Sequence, residues 1–144
     1  MNKAMVQIKK IEKTKFVTAT WNEKGKEKIK FSPPIPREEE GVYVIYEKRK
    51  NKPFYVGETT NLFRRLKMLF RCNSKQNPHP CQLNFATAIG KKIDQVEPED
   101  FCARMKVKYL STEMLVGRIE IEKELQEKYG TNCDSFYKRF AECF

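Results

Sequence analysis

Two runs rich in β-branched and aromatic residues, GVYVIY (41–46) and KPFYVG (52–57), are separated only by the polar stretch EKRKN. That pattern reads as a β-hairpin, and it limits the fold more than anything else in the chain. If Tyr43 and Tyr55 lie opposite one another they share a face, because side chains alternate along each strand. A turn of different geometry would shift that register by a residue. The chain then passes through Thr59, Thr60 and Asn61 into LFRRLKMLFR, which has a helical apolar spacing. Asn61 is placed to cap that helix, which should run to about Arg71.

Around this unit the sequence gives an outline. VQIKKIE (6–12) and KFVTATW (15–21) read as strands, NEKGKEK as a turn and KIKF (28–31) as a third strand. SPPIPREEE (32–40) continues neither helix nor central strand and is the one internal boundary. Residues 1–40 are therefore expected to form a small β appendage with its connector, and 41–144 the main domain. CNSKQNPHP reads as a loop and 81–92 as a second helix. FCARMKVKYL (101–110) reads as a strand, and a long helix capped by Ser111 or Thr112 should run to Tyr129 and stop at Gly130. The tail after it adds a short terminal helix. The fold class is α+β, with main-domain order β-β-α-α-β-α.

Charge is distributed unevenly. Of a net charge of +10, residues 41–92 carry eleven Lys/Arg against two acids, whereas 93–144 carry eight against eleven. A polyanion fits such a local concentration, with phosphate contacts giving salt-sensitive affinity. The five cysteines (72, 81, 102, 133, 143) are odd in number and form no C-x-x-C pair. Free thiols in a reducing compartment are expected; Cys72, His79 and Cys81 are a weaker candidate for a structural zinc, because their spacing matches no standard zinc pattern. With no apolar run of membrane length and no signal-peptide stretch, the expected location is cytoplasmic, or nuclear in a eukaryote.

Two side chains stand out on their helices at about 100° per residue. On the long helix, Met114, Leu115, Val116, Ile119, Ile121, Leu125 and Tyr129 define an apolar arc, with Glu113, Glu120, Glu124 and Glu127 opposite. Glu122 projects into that arc, where an uncompensated carboxylate is costly. A hard divalent cation or an ion pair with Arg118 would compensate it, and the arginine-first order is the weaker pairing. On the helix after the hairpin, Leu62, Phe63, Leu66, Leu69 and Phe70 form the stripe, while Arg64, Lys67 and Arg71 point away. Arg65 sits on the shoulder, placed either to cover the core edge or to face a phosphate.

GVY (41–43), YVG (55–57) and TTNLFRRL (59–66), followed by NPHPCQLNFATAIGKK and GRIEIEKELQEKYG, resemble the GIY-YIG nuclease family over roughly 41–134. The resemblance implies a three-stranded antiparallel sheet flanked by helices and a DNA endonuclease that hydrolyses phosphodiesters with one divalent metal, Mg²⁺ or Mn²⁺. It implies that Tyr43 activates or orients the attacking water, Tyr55 holds the site through its hydroxyl, Arg65 stabilises the transition state and Glu122 is the protein ligand of the metal. Many members carry a His or Tyr four residues after the arginine. Here that residue is Leu69, which makes His79, the single histidine, the candidate for the proton transfer. The asparagine that follows the closing helix in some members would be Asn132, with Asp134 fitting equally.

Duplex DNA is thus the expected partner, with Arg64, Lys67, Arg71, Lys48, Arg49 and Lys50 on its backbone. Lys9, Lys10, Lys13, Lys15 and Trp21 of the appendage would either add contacts or belong to an extension that covers a sheet edge. Specificity would come from the appendage, the NPHP loop, a homodimer or a partner protein. A catalytically inactive nucleic-acid-binding module on the same fold is the alternative, and Leu69 is the residue that favours it.

Overall fold

The computed structural model describes residues 3–72, 77–112 and 115–131. Cys133, Cys143, the expected terminal helix, Asn132, Asp134, Glu113 and Met114 lie outside the described residues, as do the side chains of Leu115 and Val116.

The elements in order are α1 (Lys3–Lys13), β1 (Thr18–Trp21), β2 (Ile29–Ser32), β3 (Gly41–Glu47), β4 (Lys52–Thr59), α2 (Leu62–Arg71), α3 (Pro80–Ile89), a single 3₁₀ turn at Ile93–Gln95, α4 (Pro98–Arg104), β5 (Met105–Ser111) and α5 (Leu115–Tyr129). The main sheet has the order β4-β3-β5 and is antiparallel throughout. As the middle strand, β3 is buried from Gly41 to Glu47. Tyr43, Ile45, Tyr55 and Val107 face a core built with α2, α3, α4 and the β1–β2 pair. Val42, Val44, Tyr46 and Val56 face a second core built with α1 and α5.

Three sequence expectations are corrected. Residues 6–12 are helical, not a strand, because Ala4, Ile8 and Ile11 recur at helical spacing and are buried together. Burying each isoleucine contributes roughly 1.5–3 kcal/mol, which holds an eleven-residue helix that would be marginal alone. The appendage is therefore one helix and a two-stranded sheet. Its Val17 exchanges both backbone hydrogen bonds with Val107 (2.7 and 2.9 Å), covering the free edge of β5 at that point.

The second correction concerns 101–104, which close a helix instead of opening a strand. Pro98 stands at the first helical position with Glu99 and Asp100 behind it, and the Asp100 carboxylate accepts the Glu97 N–H at 3.0 Å. The main-domain order thus gains a helix before β5. Third, Ser111 does not cap α5. It ends β5, and its hydroxyl donates to Glu39. The apolar arc of α5 is also narrower than its wheel suggested: Ile121 and Leu125 are buried, but Ile119 is 50% exposed.

Candidate active site

The site is built at the end of the hairpin where β3 begins and β4 ends. Gly41 pairs with Thr59 and Tyr43 with Gly57, whereas Tyr55 stands across from Ile45. The two tyrosines are therefore diagonal neighbours rather than opposite ones. They still share a face, because the offset is two residues and the side-chain period is two. Their rings stack with centroids 6.5 Å apart and planes inclined by 25°. Gly57 makes room for this, since a Cβ there would run into the Tyr43 ring and hydroxyl. Gly41 is confined in the same way by the Leu110 carbonyl and the Leu62 side chain.

Two helix starts converge on these rings. The Asn61 side chain accepts the Arg64 N–H at 3.0 Å and caps α2, and the Leu62 N–H goes to the Glu39 carbonyl at 2.8 Å. One residue past Arg64, Arg65 lies half-buried with Nη1 3.3 Å from Nε2 of His79. His79 caps α3: its Nδ1 accepts the Cys81 N–H at 3.1 Å, while its own N–H donates to Gln82 Oε1 at 3.0 Å. The His79 ring also packs edge-on to Tyr55 with centroids 5.5 Å apart.

Glu122 reaches the site from the other core. It comes off α5 around the edge of β4, and its carboxylate accepts the Glu58 backbone N–H. Burial first and the neighbouring Glu58 second raise its pKa above the usual carboxylate value, with Arg65 acting in the opposite direction. The ion pair between Arg118 and Glu122 is not formed. Arg118, 2% exposed, donates instead from Nε to Glu58 at 3.1 Å and from Nη1 to Glu40. Sequence reasoning did not single out Glu40, Glu58 or Gln126. The usable signal was that Glu58 is one of only two acids in the strongly basic stretch 41–92.

The electrostatics leave the site rich in donors. Burial, the main cause, and Arg65 lower the His79 pKa to about 4, so its ring is neutral near pH 7. Because Nδ1 accepts a backbone N–H, the single ring proton sits on Nε2 and faces Arg65. Arg65 Nη1 and His79 Nε2 are then two donors in contact with no acceptor between them. The Tyr43 hydroxyl is buried, and the side chain near it is the Arg65 guanidinium, with no group among the described residues in well-formed hydrogen-bond geometry. Burial drives the pKa of both Tyr43 and Tyr55 upward, and Arg65 opposes this in each case. An open cavity of about 290 Å³, lined by Thr59, Thr60, Asn61, Arg64, Arg65 and Met68, adjoins this cluster. Larger clefts of about 540 and 450 Å³ lie between α1 and α5 and contain none of the expected site residues.

Tyr43, Tyr55, Arg65, His79 and Glu122 are thus brought to one place, while Leu69 is fully buried in the core. Arg64 is exposed at the cavity wall, and Lys67 lies with Nζ 5.8 Å from the Phe63 ring centroid. Arg71 ends α2 with its Nε buried. Lys48, Arg49 and Lys50 are not brought to the site. They form the turn at the far end of the hairpin, where buried Glu47 accepts the backbone N–H groups of Arg49 (3.1 Å) and Lys50 (2.6 Å). Lys9, Lys10 and Lys13 of α1 belong to the opposite face of the sheet.

Among the described residues no three His, Cys, Asp or Glu side chains gather as a metal-holding group. The zinc arrangement of Cys72, His79 and Cys81 is therefore not formed. Both thiols are buried and His79 Nδ1 is committed to its helix cap. Glu122 is the carboxylate at the site that could serve as a donor. One carboxylate in an open site fits Mg²⁺, which keeps several waters and takes the rest of its shell from phosphate oxygens.

The family model for the GIY-YIG catalytic domain matches residues 39–135. No curated protein and no solved structure matches the chain.

Proposed function

Since the chain belongs to the GIY-YIG family of nucleases, we propose that it is a DNA endonuclease that depends on a divalent metal and hydrolyses phosphodiester bonds. The observation that carries this reading is the pair of facing donors, Arg65 Nη1 and His79 Nε2, beside the buried Tyr43 hydroxyl. Donors held together without an acceptor are completed by an anionic oxygen, and a phosphate supplies one.

Each side chain then has a role that follows from its surroundings. Arg65 and the His79 Nε2–H bind the non-bridging oxygens of the scissile phosphate and stabilise the charge that grows there. His79, neutral near pH 7, acts as a donor with a fixed tautomer and takes the place of the group that Leu69 lacks. The Tyr43 hydroxyl orients the attacking water. Burial raises its pKa and keeps it a neutral hydroxyl, so it could serve as a base only as the phenolate, the form that the positive charge of Arg65 favours. Tyr55 holds the Tyr43 ring in place by stacking and the His79 ring by an edge-on contact. Glu122 would hold Mg²⁺ or Mn²⁺. When bound, the cation polarises the phosphate as a Lewis acid. Arg64 and Lys67 receive the neighbouring phosphates along α2, and Arg71, Lys48, Arg49 and Lys50 extend the backbone contact.

Nicking of supercoiled plasmid with Mg²⁺ or Mn²⁺, wild type beside Glu122→Ala, tests this. Cleavage by wild type alone supports it, and equal cleavage by both removes Glu122 from the site. The second reading, an inactive DNA-binding module, rests on Leu69. It predicts salt-sensitive binding with no product under either metal.

A further inference from the structure

We propose that Arg118 and Gln126 are positioning residues that set the place of Glu122 by locking α5 onto the edge of β4. The inference rests on reading Glu122 as the metal-holding carboxylate.

β4 is an edge strand, and an edge presents backbone N–H and C=O groups with no strand to pair with. α5 runs along that edge. Positions 118, 122 and 126 are spaced by four and form one line on the helix. All three engage β4. Arg118 Nε donates to the Glu58 carboxylate at 3.1 Å, Glu122 accepts the Glu58 N–H, and Gln126 Nε2 donates to the Val56 carbonyl at 3.3 Å. The two repeats are commensurate. Two successive turns of α5 thus meet neighbouring outward backbone groups of β4, the Glu58 N–H and the Val56 C=O, and the turn before them meets the Glu58 carboxylate. The helix takes the place of a fourth strand over this stretch.

Arg118 also reaches Glu40, immediately before β3, and so ties α5 to both strands of the hairpin. The anchors on either side of Glu122 leave it little freedom. A slip of α5 by one residue would turn the carboxylate by about 100° away from Arg65. Ile121 and Leu125 already bury the apolar side of α5. The polar line contributes helix phase, which apolar packing fixes poorly.

Gln126→Met keeps the length of a half-buried side chain and removes its donor, and Arg118→Lys keeps the charge but loses the planar fork. Three measurements on the intact protein decide the matter: the thermal midpoint, amide hydrogen exchange at Glu58, and Mn²⁺ binding read from paramagnetic broadening of amide signals around Glu122. For Gln126→Met we expect a midpoint within a few degrees of wild type and about tenfold faster exchange at Glu58. The Mn²⁺ concentration for half-broadening should rise about tenfold, the usual effect of losing an outer-shell partner. Arg118→Lys should move the same two readouts in the same direction, and it decides the question if Gln126→Met does not fold. A folded variant with wild-type exchange and wild-type Mn²⁺ broadening overturns the proposal. The exchange readout needs no metal and no DNA. Wild type that binds Mn²⁺ at Glu122 but cuts nothing would therefore count against the nuclease reading alone. Absence of broadening at Glu122 in wild type would overturn its role as ligand, and with it this proposal.

Discussion

At Gly57 one methyl group measures how tightly the site is packed. A Cβ there overlaps the Tyr43 ring, and Tyr43 and Gly57 are both buried. Gly57→Ala is expected to cost about 1–3 kcal/mol as overpacking, read as a lower thermal midpoint, and to reduce nicking by displacing Tyr43. Arg65→Ala should leave DNA affinity nearly unchanged while nicking falls by about 10²–10³-fold; an undiminished rate would remove Arg65 from the chemistry. His79 gives a pH test with a definite sign. Its folded pKa, about 4, lies below the ordinary histidine value of 6.5, so the unfolded chain binds its proton first as pH falls. Its contribution is complete above pH 6.5, declines below that and is lost through pH 4. Protonating Nδ1 also breaks the cap on Cys81. We expect up to about 2 kcal/mol in that window, discounted for partial exposure. Asn caps helices without titrating, so melts of His79→Asn between pH 4 and 6.5 should lose that part of the slope.

At the scale of elements, the appendage is held by the same cores as the rest of the chain. α1 shares a core with β3, β4 and α5 through Ala4, Ile8 and Ile11, and Glu12 accepts from Lys128 Nζ and the Tyr129 hydroxyl at 2.9 Å. Ile11 is fully buried, so Ile11→Ala should cost about 2–5 kcal/mol. The loss should appear as one cooperative transition of lower midpoint. Two separate transitions would mean that residues 1–40 fold apart from the sheet. The two helices read wrongly from sequence fail for identifiable reasons. VQIKKIE alternates over a few residues as a strand does, and only Ala4 upstream reveals the helical spacing. FCARMKVKYL hides a helix end because the start signal, Pro98 with two acids, lies just before it. The hairpin, α2 and α3 were legible because Asn61 and Gly90 mark their ends and the apolar spacing agrees.

Across the whole molecule, the positive charge of 41–92 divides between two ends of the hairpin. Arg64 and Lys67 stand on α2 beside the site, and Lys48, Arg49 and Lys50 stand at the far turn. Replacing Arg64 and Lys67 together by Ala should reduce the slope of log affinity against log salt by about 1–2, one unit per lost phosphate contact. The same measurement with Lys48, Arg49 and Lys50 replaced together shows how far the duplex extends, and an unchanged slope would confine it to the α2 end. No described helix is long and apolar enough to cross a membrane.

The sequence by itself determined the hairpin, the helix after it and the family, and it named the five candidate residues that the fold brings together. Those are local properties: side-chain period, caps, turn residues and short motifs within one or two elements. Tertiary structure alone decided that Tyr55 is diagonal to Tyr43, that His79 is a neutral helix cap facing Arg65, and that Arg118 pairs with Glu40 and Glu58. Each of these depends on groups far apart in the chain meeting where water is excluded. There burial sets protonation, and geometry selects one partner among several of the right charge.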